Sequence, residues 1–432
     1  MKDNIIELAR EMQSELVELR RDFHRHAESA WTEFRTASIV ASKLEQLGYE
    51  VSVGSSVIEE SEMMGVPARD VLDEHLRRAK SQGATKYADK MAGGKTGVMG
   101  LLRTGSPGPV TALRFDIDAN DMNESTNPNH IPVKEGFASI NAGAMHACGH
   151  DGHTAIGLGL AKLLYQIKNE LSGTVKIIFQ PAEEGVRGAK SMVAKGIVDD
   201  VNYVLGGHIG FGAKNDRLVC GTSGFLATTK FDVTFKGVPS HAGAKPEDGK
   251  SALLSAACAS LSMQGIYRHS AGPSRINIGV LHAGTGRNVV PDHAVIKVET
   301  RGVTSQINEF IKKEAYRMAE ASAAMYDTRA EIVEVGGAVA GECDAELVLL
   351  ARRAAEESGM FAVIEDSGYL GGSEDYTYFM ERVQNNGGKA LFVMIGAATT
   401  AGHHNDLFDF DERVLSRSVA LFAYMTYLIS KK

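Results

Sequence analysis

Three short apolar runs, VTALRFDID (110–118), TVKIIFQPAEE (174–184) and VNYVLGGHIG (201–210), are separated by stretches of helical periodicity, and each ends in carboxylate or imidazole side chains. Strands that alternate with helices specify an α/β fold with a mixed, mostly parallel sheet and helices on both faces. Ligands of such sheets gather at the C-terminal strand ends. Asp116 and Asp118, Glu183 and Glu184, and His208 are therefore expected along one crevice.

Before these runs, Ile5, Leu8, Met12, Leu16, Leu19 and Phe23 recur at spacings of three and four, and TEFRTASIVASKLEQLG continues as a second helix stopped by Gly48. His24 and His26 fall on the first of these and read as helix packing. Residues 52–95 break the pattern and read as an inserted segment, helical over 67–83, with Val71, Leu72 and Leu76 as its apolar set. After residue 224 the order becomes β-α-β-β-α-β, the ferredoxin-like unit, an α+β sandwich that folds on its own scale. The expected organisation is a first domain split over 1–224 and 336–432, interrupted by an inserted domain at 225–335.

A chain of 432 residues exceeds what one core sustains, which agrees with two domains. Its net charge of −8, with both signs interspersed, argues against a phosphate-tracking surface and so against nucleic acid as the partner. No apolar run is long enough to span a bilayer, and the first residues lack a signal-peptide core, so a cytoplasmic protein without a membrane partner is expected. The four cysteines are too scattered for a disulfide framework. Cys220, Cys258 and Cys343 read as core residues; Cys148 does not.

Cys148 lies in HACGHDGHT (146–154), which carries three histidines, a cysteine and an aspartate in nine positions. With the glutamate pair of PAEEG, His208 of GGHIG and the double histidine of AGHHND, it supplies the imidazole, thiolate and carboxylate donors that zinc or manganese accept. Two such ions polarise a carbonyl and activate water, the difficult part of amide hydrolysis. Adjacent residues at a strand end point in different directions, so one glutamate of the pair can ligate while the other moves a proton. Cys148 as a thiol nucleophile beside His146 and His150 is a rival reading, but it leaves Glu183, Glu184 and His208 without a role.

HACGHDGHT, FQPAEEG, GGHIG, SHAG, RNVVP, GGSED and HHNDLFDFDE occur together and in this order between residues 146 and 412, and with the phrase RRDFHRHAESAWTEFRTA near the start the likeness extends over about residues 20–412. In this the chain resembles the amidohydrolase branch of the metal-dependent aminoacylase and carboxypeptidase peptidases. The resemblance implies two divalent metal ions, Zn or Mn, held by Cys148, His150, Glu184, His208 and His403, with Glu183 as general base. Asp116 and Asp118 stand where the wider family has a histidine-x-aspartate motif, and are expected to orient the ligand histidines. His153 and His404 are expected as neighbours of the ligands. The resemblance further implies that the first domain is catalytic and the inserted one a lid and dimerisation domain. It also implies that His241 stabilises the tetrahedral oxyanion across a homodimer, and that Asn288 and Arg301 hold the substrate's free carboxylate, although a surface ion pair explains Arg301 equally well. The expected reaction cuts an amide between an acyl or aroyl group and an amino acid, with p-aminobenzoyl-glutamate first and an N-acyl amino acid or indole-acetyl-aspartate as alternatives. A hetero-oligomer with a related B subunit, in which this chain only binds or stabilises, is the rival of another class.

Overall fold

The computed structural model describes residues 1–211 and 215–432. The chain divides into two compact units, one of Met1–Ser223, Gly341–Leu370 and Asp375–Lys432, the other of Gly224–Ala340 with Gly371–Glu374.

The first unit is built on an eight-stranded sheet. Its centre is four parallel strands in the order Thr174–Gln180, Val110–Asp116, Tyr203–Ile209 and Lys389–Ile395. Register brings the chemistry to one edge: Asp116 pairs with Gln180, and Leu113 with Leu205, so continuing the ladder sets Asp116 level with His208. These strands are apolar along nearly their whole length because helices cover both faces. Two flanking strands, Glu50–Val53 and Val98–Arg103, run antiparallel on one side and were not legible as strands. The first is a four-residue edge strand; the second lies between it and Thr174–Gln180 but buries only alternate residues, so neither forms a continuous apolar run.

The N-terminal periodicity is realised as Lys2–Glu11, Gln13–Arg25 and Phe34–Gln46, three helices where two were expected. The break at Met12 has no glycine or proline. Gln13 instead reaches outward, donating to the Glu412 carbonyl at 3.0 Å and accepting from the Ser416 amide at 3.3 Å. Within the inserted segment the helix spans Arg69–Ser81 and buries Leu72 and Ala79, leaving Val71 exposed. Trp31 Nε1 donates to the Met64 carbonyl at 2.7 Å and ties this segment to the chain before the third helix. Cys220 is buried, but Cys258 and Cys343 are only partly covered, and all four cysteines are free thiols.

The second unit is a four-stranded antiparallel sheet with two helices. Its strands, Ala227–Lys236, Ser274–Ala283, His293–Gly302 and Arg329–Ala338, lie in the order fourth, first, third, second. Phe231, Val233 and Phe235 alternate inward and meet the alanine-rich faces of Ala252–Gln264 and Ser305–Met325. Ser251 and Thr304 cap these helices, each accepting a backbone amide three residues on. The last strand passes beyond the expected domain bound at 335, and a register shift between Glu334 and Gly336 accommodates the glycine.

Candidate metal centre

Gly149 adopts φ +89, a left-handed conformation that turns HACG into the helix His150–Gln166. His150, Asp151 and His153 consequently occupy the first helical turn, and Cys148 sits just before it. The ligand atoms of Cys148, His150 and His208 lie within 4.8 Å of one another, as do those of His150, Glu183 and Glu184. Each imidazole is oriented from behind. His150 Nδ1 donates to the Asp118 carbonyl at 2.9 Å, and His208 Nδ1 to the Ile209 carbonyl at 2.8 Å. Their Nε2 atoms are thereby turned toward the shared space, where Cys148 Sγ is 3.4 Å from His208 Nε2.

His153 is a positioning residue. Its Nδ1 donates to Asp116 Oδ1 at 2.6 Å while its Nε2 accepts the Ile209 amide at 3.0 Å, which spends both nitrogens. Asp116 is further held by Arg114 Nη1 at 2.6 Å. Burial opposes its charge, but His150, His153 and Arg114 outweigh burial and hold its carboxyl well below the usual carboxylate range.

The glutamate pair sits in a tight turn after Gln180. Asp118 accepts the amides of Glu183 and Glu184, and Glu33, contributed by the N-terminal region, accepts the amide of Ala182 at 2.8 Å. Asp375 of GGSED accepts the amides of Gly188 and Ala189 at 3.1 and 2.9 Å, and Gln180 Nε2 donates to it at 2.8 Å. Three carboxylates therefore fix one turn through its backbone. Glu33 and Asp375 were not assigned this role from sequence; the only signal was an acidic residue in the phrase WTEF and the unassigned motif GGSED.

The two histidines of the pair make different contacts. His403 Nε2 points at the Ile209 carbonyl, 3.1 Å away, and its ring stacks on Phe211 at 4.4 Å. His404 Nε2 instead lies 3.4 Å from Glu184 Oε1 and joins Cys148 and Glu184 as a possible ligand group. The reason is local: His404 has φ +62, and its amide donates to the Ala147 carbonyl at 2.8 Å, which pins this residue against the cysteine loop.

His24 is more than packing. Arg20, fully buried, donates to Asp151 at 2.8 Å, to Asp409 at 2.6 Å and to Glu412 at 3.2 Å, while His24 contacts Asp151 at 2.8 Å and Glu124 at 3.0 Å. This network joins the second helix, Gln13–Arg25, the first turn of the site helix and the segment after the double histidine. His26 Nδ1 donates to the Asp22 carbonyl at 2.8 Å, a local contact.

The donor set fits divalent metal ions. His150 Nε2 is buried without a hydrogen-bond partner, a cost that a cation offsets. Burial and the neighbouring His153 keep His208 well below its ordinary value, so its imidazole is neutral and available as a ligand. Burial and the Glu184 charge push the Cys148 thiol well above its ordinary range, the condition that a bound cation reverses.

In the second unit His241 is exposed, and its Nδ1 accepts the amides of Gly243 and Ala244 at 3.2 and 3.1 Å. The Ala242 amide donates to the Asn288 carbonyl at 3.0 Å, so His241 and Asn288 share one pair of loops. Arg301 lies in the third strand of that unit and donates to Glu299 at 3.0 Å.

A parallel sheet whose C-terminal edge carries cysteine, histidine and glutamate donors, interrupted by a ferredoxin-like unit, defines a metal-dependent amidohydrolase. The chain belongs to peptidase family M20/M25/M40, which matches residues 112–427. It is 50% identical to one of the subunits of p-aminobenzoyl-glutamate hydrolase from Escherichia coli (strain K12), covering 94% of this chain and 93% of that one. It is 48% identical to indole-3-acetyl-aspartic acid hydrolase of Enterobacter agglomerans, covering 96% of each. Among solved structures, the aminobenzoyl-glutamate utilization protein from Klebsiella pneumoniae superposes with a TM-score of 0.85 at 42% identity, covering 98% of this chain and 97% of that one. The YXEP protein of Bacillus subtilis, a dinuclear metal binding peptidase, does so with a TM-score of 0.67 at 26% identity, covering 98% and 99%. No helix of the described residues is long and apolar enough to cross a membrane.

Proposed function

We propose that this chain hydrolyses the amide of p-aminobenzoyl-glutamate, giving p-aminobenzoate and glutamate. The observation that carries the reading is the glutamate turn: Glu183 and Glu184 are held by their amides beside Cys148, His150 and His208, in a chain half identical to a component of a hydrolase of that substrate.

Cys148, His150, Glu184 and His208, with one residue of the His403–His404 pair, are the groups that would hold two divalent ions, zinc or manganese. When bound, such ions polarise the amide carbonyl and acidify water. The protein's own groups do the rest. Glu183, whose Oε2 is 4.0 Å from His150 Nε2, takes the proton from the attacking water and returns it to the leaving amine. Asp118 and Glu33 keep that carboxylate in place. Asn288 and Arg301 take the substrate's α-carboxylate, for which a planar guanidinium suits both oxygens. His241 stabilises the oxyanion from the second copy of a homodimer. A related B subunit is the further partner, because the p-aminobenzoyl-glutamate hydrolase relatives are each named as one component of a larger enzyme.

Indole-acetyl-aspartate is the second substrate supported by comparable similarity. The test is release of p-aminobenzoate, and of indole-acetate from its aspartate conjugate, by the purified chain alone, before and after chelation, with metal counted per chain. Chelation-sensitive release of p-aminobenzoate carries the reading; release only from the indole conjugate replaces the substrate. Metal without release from either conjugate makes the chain dependent on a partner, and chelation-resistant release restores the Cys148 nucleophile.

A further inference from the structure

The turn that presents the glutamates has an unusual backbone. Ala182, Gly185 and Val186 adopt φ +55, +84 and +59, so three of five consecutive residues are left-handed, two of them non-glycine. Such conformations persist where the surroundings over-determine them, and they cluster at functional sites. Here the Val186 amide donates to the Glu183 carbonyl at 2.6 Å and the Arg187 amide to the Ala182 carbonyl at 3.0 Å. The consequence is that Arg187 folds back over the turn. Its Nε donates to the Glu184 carbonyl at 2.8 Å, and a Cβ at Gly185 would meet that Nε at 2.8 Å and displace it, on a backbone at φ +84 that itself favours glycine.

The guanidinium is oriented by neutral acceptors. Nη1 reaches the Gly65 carbonyl of the inserted segment at 3.4 Å, and its carboxylate neighbour, the largely exposed Asp121, stands 3.8 Å from Nη2. Arg20 and Arg114 differ. Both are fully buried and each contacts a carboxylate oxygen at 2.6 Å. Arg187 keeps 20% of its side chain accessible and a charge that no close carboxylate among the described residues matches. A preoriented, half-sheltered guanidinium beside the reacting centre is a carboxylate receptor.

The reading proposed above supplies that carboxylate. The substrates in the names of two similar relatives are amides of glutamate and of aspartate, and each of these amino acids carries a second acid group. A carboxylate sheltered from water without a partner of opposite charge costs free energy, and a guanidinium offsets that cost. We infer that Arg187 is the specificity-determining residue that binds the side-chain carboxylate of an acidic amino acid substrate. This inference rests on the hydrolase reading.

The test compares p-aminobenzoyl-glutamate with its neutral isostere p-aminobenzoyl-glutamine on the metal-loaded protein. Arg187→Gln should lower kcat/KM for the glutamate substrate by about 30-fold or more, chiefly through KM, and leave the glutamine substrate within about two-fold. Arg187→Lys should restore part of the preference. Asp121→Ala, at an exposed position, should lower KM for the glutamate substrate alone, which keeps the test decisive if the Arg187 variants misfold. Equal losses on both substrates would make Arg187 a staple between the turn and Gly65 and overturn the assignment, as would an unchanged preference. A wild-type protein that cleaves neither conjugate overturns the hydrolase reading, and the subsite with it.

Discussion

The carboxylate of Asp118 accepts the backbone amide of Glu184 at 2.8 Å, and its other oxygen accepts that of Glu183 at 3.0 Å. One buried side chain thus fixes both members of the glutamate pair without touching either carboxylate, while its carbonyl orients His150. Asp118→Asn replaces one acceptor with a donor that faces an N–H group. Turnover should fall about 10- to 100-fold, the usual size for loss of a supporting contact behind a metal site. Steady-state kinetics and metal analysis check this; full activity would show that the turn holds itself.

Glu183→Gln should retain metal and lose about 10²- to 10⁴-fold in kcat, because the amide keeps the shape but cannot accept the proton. Elemental analysis beside kinetics separates the outcomes. Loss of metal together with activity would make Glu183 a ligand.

Metal loading should release protons. His150 is raised well above its ordinary value by Asp116 and Asp118 despite its burial, and Cys148 is raised by burial, so both are protonated near pH 7 in the metal-free protein. A ligand must give up its proton, so titrating zinc into weakly buffered, chelator-stripped protein should release about two protons per chain. Cys148→Ala should release about one fewer. Proton release unchanged in that variant would remove the cysteine from the site.

Glu33 predicts an alkaline loss of stability. Burial, and then the Asp118 charge, push it up to about 8 from an ordinary 4.5. A folded value above the unfolded one means that its contribution is complete below about pH 4.5 and disappears as pH rises through about 8. Urea midpoints should fall as pH rises from about 4.5 to about 8 and level off above that, and Glu33→Gln should flatten the fall. An identical slope in the variant would assign the effect elsewhere.

Arg20→Ala should destabilise the fold by about 3–5 kcal/mol, because Asp151 and Asp409 are left buried without their cation. Urea unfolding measures it. A cost below about 1 kcal/mol, the range of exposed pairs, would show that water takes the place of the guanidinium.

The alternating apolar runs are enough to specify the parallel core, because strands covered on both faces must be apolar throughout, and enough to bring Asp116, Glu183, Glu184 and His208 to one edge. The order β-α-β-β-α-β likewise specifies the second unit's topology. Strands 50–53 and 98–103 escape this reading, since the first is a short edge strand and the second, though paired on both sides, buries only alternate residues and forms no continuous apolar run. The kink at Met12 escapes it as well, because its cause, Gln13 reaching Glu412 and Ser416, lies about four hundred positions away.

The donors of the metal centre are local words in the sequence, and their chemistry is fixed by residue type. Which atom of each donor faces the others was decided only in three dimensions. His403 and His404 are adjacent and chemically identical, yet a left-handed backbone at His404 and its bond to Ala147 bring that ring to Glu184 and leave its neighbour on the Ile209 carbonyl. Glu33, Asp375 and Arg187 acquire their positions in the same way. Their partners are backbone amides and carbonyls, which every residue carries, so no side-chain pattern records the pairing until the chain has closed on itself.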